Sequence, residues 1–175
     1  MIFRDMATQM KYAIFSTAWG YFGLVADKKG LIRTCLPRSS RKTVEKCLLA
    51  GLGNPQFNKN LLKPLQKQIT AYFAGKPVRF DTSLVLDKLP PFARKVLAAC
   101  RKIPSGKTVS YSQLAGMIGK PRASRAVGSA LARNPIPLII PCHRVIHSDS
   151  SLGNFSAFGG TNTKKKLITL ESNDR

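Results

Sequence analysis

Cysteine, histidine and arginine stand side by side at Cys142-His143-Arg144, behind a run in which prolines bracket apolar residues, Asn134-Pro135-Ile136-Pro137-Leu138-Ile139-Ile140-Pro141. The thiolate, not the thiol, is the nucleophile, and cationic neighbours or a helix N-terminus lower the thiol pKa from ~8.5. A stiff apolar segment that delivers a cysteine to such neighbours suits nucleophilic chemistry. It also suits a small buried thiol beside a surface His-Arg pair. In an extended stretch, Cys142 and His143 point to opposite faces, so a base role for His143 needs a bridging water or another partner. Cys35, Cys47 and Cys100 are scattered, with no Cys-x-x-Cys pair and no zinc-ligand spacing. We therefore expect free thiols, no metal and a reducing, cytoplasmic setting.

Such a cysteine needs a scaffold and a substrate. The 175 residues carry 29 Lys+Arg against 8 Asp+Glu, a net charge of +21, with 43% hydrophobic residues. That apolar content supports a packed core, so the charge sits on a folded scaffold and not on a disordered tail. At ~100–200 residues per domain, the length allows one ordinary domain or two small ones. A charge excess of this size favours polyanions, with nucleic acid the first choice and an anionic membrane surface its competitor. No stretch approaches the ~20 apolar residues of a membrane span. Met1-Ile2-Phe3-Arg4-Asp5-Met6 lacks the apolar region of a secretory signal. No membrane association is expected.

The elements that position the cysteine can be read from pattern. Short β-branched and aromatic runs at residues 12–15, 21–26 and 31–35 predict strands, and Asp27-Lys28-Lys29-Gly30 suits a hairpin. Ser39 or Ser40 is placed to cap a helix to about Ala50, ended by Gly51, Gly53, Asn54 and Pro55. Between Asn60 and Ala74, Leu61, Leu62, Leu65, Ile69, Tyr72 and Phe73 recur at helical spacing, with Pro64 in the first turn and Gly75 as a stop. Val78, Phe80 and residues 84–86 read as an extended link, and Leu89-Pro90-Pro91 marks a boundary. Beyond it, Phe92, Val96, Leu97 and Cys100 share one helical face, which makes Cys100 a core residue. Ser110 and Gln113 form a capping box that opens a helix to Ile118, where Gly119 stops it. Pro121 opens a second helix, residues 122–132, whose Ala123, Ala126, Gly128, Ser129 and Ala130 permit close approach to another surface. A helix, a glycine turn and a basic helix spell helix-turn-helix, although a plain helical hairpin has the same pattern. Lys164-Lys165-Lys166 reads as a solvated helix face.

Pro141-Cys142-His143-Arg144-Val145 resembles the active-site signature of the O6-alkylguanine-DNA alkyltransferases, the methylated-DNA–protein-cysteine methyltransferases. The stretch from Arg125 through Leu131 to Asn134-Pro135-Ile136-Pro137 resembles that family's recognition helix and Asn-Pro-x-Pro hinge, and residues 103–111 resemble its approach to the first DNA-binding helix. The resemblance is continuous from Tyr72-Phe73-Ala74-Gly75 to Glu171; before Asn60 it is one of architecture alone. It implies an α+β fold with an N-terminal ribonuclease-H-like α/β domain (residues 1–88) and a mostly helical winged helix-turn-helix domain (residues 89–175). It also implies DNA repair by direct reversal: one irreversible, cofactor-free transfer of an alkyl group from guanine O6, with thymine O4 left open, onto Cys142. The partner is double-stranded DNA carrying the lesion, and the protein is expected to act as a monomer, with cooperative binding along DNA left open.

By the same resemblance, His143 is a water-mediated base held by Glu171, Tyr111 donates to the guanine ring, and the Ser156 N–H faces O6. The carbonyls of Cys142 and Val145 accept from the exocyclic amine, and Asn134 braces the turn. The target atom is inaccessible inside a duplex, so the nucleotide must leave the stack. Arg125 matches the residue that fills the vacated space, while Ser112, Arg122, Ser124, Ala126 and Arg144 join the DNA- and substrate-binding set. Phe155 stands where several relatives carry Tyr and can stack on the flipped base, and Ala157-Phe158 lengthen the following loop. Three other functions compete: a lesion-sensing binding module without transfer, a winged-helix transcription regulator, and a Cys-His hydrolase.

Overall fold

Alternating β-branched and aromatic residues build three antiparallel strands, β1 (Lys11–Thr17), β2 (Gly20–Asp27) and β3 (Gly30–Arg38), in the computed structural model, which describes residues 9–172. Met1 to Met6, read above for a signal segment, lies outside the described residues. The β2–β3 turn is closed by Asp27, whose Oδ1 accepts from the N–H groups of Lys29 (2.7 Å) and Gly30 (3.2 Å). Gly30 has φ +147°, and a Cβ there would lie 2.5 Å from the Ser83 carbonyl oxygen. The glycine thus lets the link after the sheet run alongside β3. Leu31 N–H donates to Ser83 O and Val85 N–H to Leu31 O, both at 2.8 Å.

A fourth strand, β4 (Gln56–Phe57), pairs parallel to β1 and gives the order β3-β2-β1-β4. It escapes prediction because two exposed residues carry no periodicity. Helix α1 (Arg41–Leu49) has Ser40 at its N-cap, as predicted, but without a side-chain capping bond. Val44 and Leu48 of α1 pack with Ile14, Val25 and Cys35 on one face of the sheet. The alternate residues Ala13, Phe22, Leu24, Leu31 and Leu36 face the other way, against α2 (Lys63–Phe73). Helix α2 starts three residues later than the apolar spacing suggests, because Leu62 takes a left-handed φ of 48°. Gln66 Nε2 holds that turn by donating to the carbonyls of Lys59 (3.0 Å) and Leu61 (2.7 Å).

The remaining elements are mostly helical: α3 (Pro91–Cys100), α4 (Tyr111–Met117), α5 (Ser124–Ala132) and α6 (Gly160–Ser172). The Ser110–Gln113 capping box is present in both directions, an arrangement worth ~1 kcal/mol at a helix start. The fold is α+β, a sheet half followed by a helical half that carries the helix-turn-helix pair α4–α5. Helix α5 opens at Ser124, not Pro121, so Arg122 lies in the turn before it. Ala126 and Ser129 are on its exposed face, whereas Ala130 points into the core. One continuous apolar cluster runs from Ala13 and Phe22 of the sheet through Leu97, Leu114 and Val127 to Leu167 of α6. The two halves share a core, and Cys100 is buried within it. Two short parallel strands, β5 (Val109–Ser110) and β6 (Val145–Ile146), lock the start of α4 to the chain just after Cys142.

Candidate active site

The proline-rich run is a tethered turn. Asn134 spans it: Nδ2 donates to Ile140 O (2.9 Å) and to Cys142 Sγ (3.2 Å), while Oδ1 accepts from Ile136 N–H (3.0 Å). Leu138 sits at φ 79°, a costly conformation for a branched side chain. Burial of Ile136, Leu138, Ile139 and Ile140 holds it there. The sheet half contributes directly, since Thr34 donates from its N–H to Pro135 O (3.0 Å) and from Oγ1 to Pro137 O (2.8 Å). Cys142 to Arg144 then form a 3-10 turn and not the extended stretch supposed from sequence; Arg144 N–H reaches Pro141 O at 2.9 Å. The turn sends Cys142 towards a surface cavity and His143 into the protein.

Below the turn lies Glu171 of α6, buried and surrounded by donors. Its Oε1 accepts from Tyr72 Oη (2.7 Å), His143 Nε2 (2.8 Å) and Arg144 Nη2 (2.9 Å). Its Oε2 accepts from Arg144 Nε (2.9 Å) and Gly106 N–H (3.4 Å). Burial alone would raise the carboxyl pKa, but the hydrogen bonds from His143 and Arg144 and the charge of the Arg144 guanidinium outweigh it and hold Glu171 ionised far below the usual carboxylate range. An ionised carboxylate only accepts, so His143 Nε2 carries the hydrogen. Burial pushes the His143 pKa down against the pull of Glu171, and the ring is neutral. Nδ1 therefore keeps its lone pair, and it is buried with no hydrogen-bond partner among the described residues.

Cys142 feels opposing influences: burial raises its pKa, while the Asn134 hydrogen bond and the charge of Lys164 lower it. Lys164 is only 1% exposed, which corrects its reading as part of a solvated face; Lys165 and Lys166 alone are exposed. Lys164, Leu167 and Glu171 are the buried residues of α6, at helical spacing on one face. Burial lowers the Lys164 pKa to about 8, against the field of the Cys142 and Cys100 sulfurs. Its Nζ lies 5.7 Å from the centre of the Tyr111 ring. Above these groups opens a cavity of about 620 Å³ lined by Cys142, Tyr111, Arg125, His147, Phe155 and Ser156, among others. Among the described residues, no His, Cys, Asp and Glu groups cluster in a metal-binding arrangement. No helix there is long and apolar enough to cross a membrane.

The ribonuclease-like domain of 6-O-methylguanine DNA methyltransferase matches residues 10–86, and the DNA-binding domain of the same family matches residues 91–173. A methylated-DNA–protein-cysteine methyltransferase of Methanosarcina acetivorans is 35% identical over 162 residues, covering 93% of this chain and 98% of that protein. The chain belongs to the methylated-DNA–protein-cysteine methyltransferase family. Another member, from Methanosarcina barkeri, is 44% identical over 117 residues, covering 67% of this chain and 72% of its own. The crystal structure of Mycobacterium tuberculosis O6-methylguanine methyltransferase superimposes with TM-score 0.78 at 31% identity, over 95% of both chains. That of Mycobacterium tuberculosis OGT in complex with DNA gives 0.79 at 33%, over 94% of both.

Within this family framework the structure bonds Asn134 to Cys142 and, on the other side of the same turn, gathers His143 and Arg144 around Glu171, with Tyr111 at the cavity wall. Ser124, Arg125, Phe155 and Ser156 also line the cavity. Val145 is fully buried in β6, and Ser112 Oγ meets Ser110 Oγ (2.8 Å) and Ser148 Oγ (3.2 Å). Arg122 and Ala126 are exposed and are not among the lining residues. Sequence reasoning placed Lys164 on a solvated face and passed over His147 and the Tyr72 hydroxyl. Helical phase relative to Leu167 would have exposed Lys164. Nothing local in sequence ties Tyr72 to Glu171, which is 99 residues away.

Proposed function

We propose that this chain repairs duplex DNA by taking the alkyl group from guanine O6 onto Cys142 Sγ, once per molecule. The observation that carries this reading is the Glu171–His143 pair, which leaves a neutral imidazole with an unpaired, buried Nδ1 on the residue that follows Cys142, while Cys142 itself lines the cavity. Nδ1 takes the thiol proton through one water. The thiolate attacks the alkyl carbon, forming S–C as C–O6 breaks, and guanine leaves as an anion that takes the proton back from the His143 imidazolium through water, so the ring ends neutral. Charge developing on guanine is met by the Tyr111 hydroxyl and the Ser156 N–H, both from residues that line the cavity. The Lys164 ammonium stabilises the thiolate from below. The thioether cannot be displaced by water, so the step ends the protein's activity. No cofactor enters.

Extruding the nucleotide costs a few kcal/mol of stacking. Arg125, exposed on α5 at the cavity, is placed to fill the gap, with Ser124 and Ala126 on the same helix and Arg122 just before it. Every group in this reading comes from one chain, which suits a monomer. Of the 29 Lys+Arg, 15 lie in residues 1–88, so basic charge extends well beyond the helix-turn-helix and suits several copies lying along one duplex. We place the domain boundary between residues 88 and 89, and the four free thiols suit a reducing compartment such as the cytoplasm.

The reading is tested on the DNA. After incubation with a duplex containing O6-methylguanine, nucleoside analysis is expected to recover guanine mole for mole with protein. A lost base, or an unchanged lesion under tight binding, would contradict it.

A further inference from the structure

Cys142 is one of four cysteines, and two of the others, Cys35 on β3 and Cys47 on α1, meet where the helix packs on the sheet. Successive residues of a strand face opposite ways. Thr34 sends its hydroxyl to the proline turn, whereas Cys35 packs with Val44 and Leu48 of α1. Opposite Cys35 in the β2–β3 ladder stands Gly23, where a Cβ would lie 2.7 Å from Val44 Cγ1 and 2.8 Å from Leu48 Cδ2. The missing side chain lets α1 sit close on the sheet at this point. Arg33 of β3 pins the end of the helix there, its Nη1 donating to the carbonyls of Leu48 (3.0 Å) and Ala50 (2.6 Å). Cys47, three residues after Val44 and one before Leu48, falls at the edge of that contact.

The two thiols differ in their surroundings. Cys35 is buried, and its burial, reinforced by the charge and hydrogen bond of Cys47, pushes its pKa well up. Cys47 is exposed. Arg38, also on β3, touches both sulfurs: its Nη2 donates to Cys47 Sγ at 3.4 Å, and the guanidinium hydrogen-bonds Cys35 as well. The Nε of Arg38 is buried with no acceptor among the described residues, so this cation keeps an unused donor. An accessible thiol under a cation, with a second thiol in contact, is the arrangement in which oxidation halts at a disulfide.

We propose that Cys47 and Cys35 form a second reactive site, a dithiol that reduces hydroperoxides and closes to a disulfide. Cys47 Sγ attacks a peroxide oxygen; S–O forms as O–O breaks, and the thiol proton goes to the leaving oxygen, which departs as water or an alcohol. Cys35 Sγ then attacks Cys47 Sγ; S–S forms as S–O breaks, and the Cys35 proton leaves with the hydroxide as water. The two thiols lose two electrons and two protons, and the peroxide gains them. The raised pKa makes Cys35 the poorer nucleophile, so the exposed Cys47 meets the peroxide first. Neither DNA nor alkyl transfer enters the reaction, which stands apart from the function proposed above.

The test treats the reduced full chain with one equivalent of hydrogen peroxide, blocks the remaining thiols with iodoacetamide, and maps tryptic peptides by mass spectrometry without reductant. Arg38, Arg41, Lys42 and Lys46 lie between the two cysteines, so trypsin separates them unless sulfur joins them. The expected product is the Cys35 peptide bound to the Cys47 peptide, two hydrogens lighter than the pair and separated again by dithiothreitol. With dimedone present to trap sulfenic acid, Cys35→Ala is expected to carry the adduct on Cys47, and Cys47→Ser to carry none on Cys35. The parent chain decides the pairing without any substitution. Cys35 and Cys47 still free after the peroxide, Cys47 oxidised to sulfinic acid without a cross-link, a disulfide through Cys100 or Cys142 instead, or a dimedone adduct on Cys35 in Cys47→Ser overturns the proposal.

Discussion

Glu171→Gln replaces one oxygen by an amide nitrogen in the most heavily hydrogen-bonded side chain of the site. Five donors converge on that carboxylate, and a glutamine can satisfy only some of them while turning its own donors towards the others. Arg144, 8% exposed, would keep the Ile103 carbonyl as its remaining partner. Removing one member of a buried ion pair costs ~3–5 kcal/mol, a large share of the ~5–15 kcal/mol that holds a domain folded. At ~2–4 °C per kcal/mol for a chain of this length, the melting temperature should fall by about 6–20 °C. Transfer should slow as well, because the carboxylate fixes the His143 tautomer; the expected loss is about a hundredfold or more. Urea denaturation and single-turnover transfer below the melting range measure the two effects separately. Adding Arg144→Met removes the stranded charge and should restore ~1 kcal/mol or more relative to the single variant. A loss of stability under ~1 kcal/mol with transfer within about threefold of the parent would refute the reasoning.

Lys164→Met should shift the pH dependence of Cys142 alkylation by iodoacetamide upward by about one unit, since the charge of Lys164 that lowers the thiol pKa is gone; an unmoved profile would leave Lys164 a packing residue. Arg125→Ala should slow transfer from duplex by about a hundredfold, the worth of a few kcal/mol of stacking, while transfer from free O6-benzylguanine stays unchanged. Equal losses on both substrates would place Arg125 in the chemistry instead. Thermal melts across pH should show two losses of stability on acidification. The folded-state pKa of His143 is lowered, so its contribution is full above the unfolded value of ~6.5 and is lost as pH falls through the folded one. That of Glu171 is lowered too, so its contribution persists above ~4.3 and is lost below it, and Glu171→Gln should erase that second stage.

Local chemistry was readable wherever one side chain closes its own element. Asp27 closes the β2–β3 turn, and the reciprocal Ser110–Gln113 bonds open α4; both depend on neighbours two or three positions away. Two helix starts set by the backbone of the preceding turn were not readable. Leu62 turns left-handed while Gln66 ties down the preceding carbonyls, and Ser124 rather than Pro121 opens α5. In the site, the Pro-Cys-His-Arg segment announced its chemistry through residue types, but its 3-10 turn did not show in an apolar, proline-bracketed run. Lys164 was misread because a cationic triplet suggests solvent, while the phase set by Leu167 and Glu171 buries its first member alone. The bond from Tyr72 to Glu171, and the grip of Thr34 on the proline turn, join distant parts of the chain that no local pattern connects.

The most direct test of the account is peptide mass spectrometry after mixing the protein with excess duplex containing a single O6-methylguanine. One methyl group per protein is expected, on the peptide that contains Cys142, with no further uptake when fresh damaged duplex is added. A methyl group on Cys35, Cys47 or Cys100, repeated turnover, or an unmodified Cys142 in a tightly bound complex would contradict it.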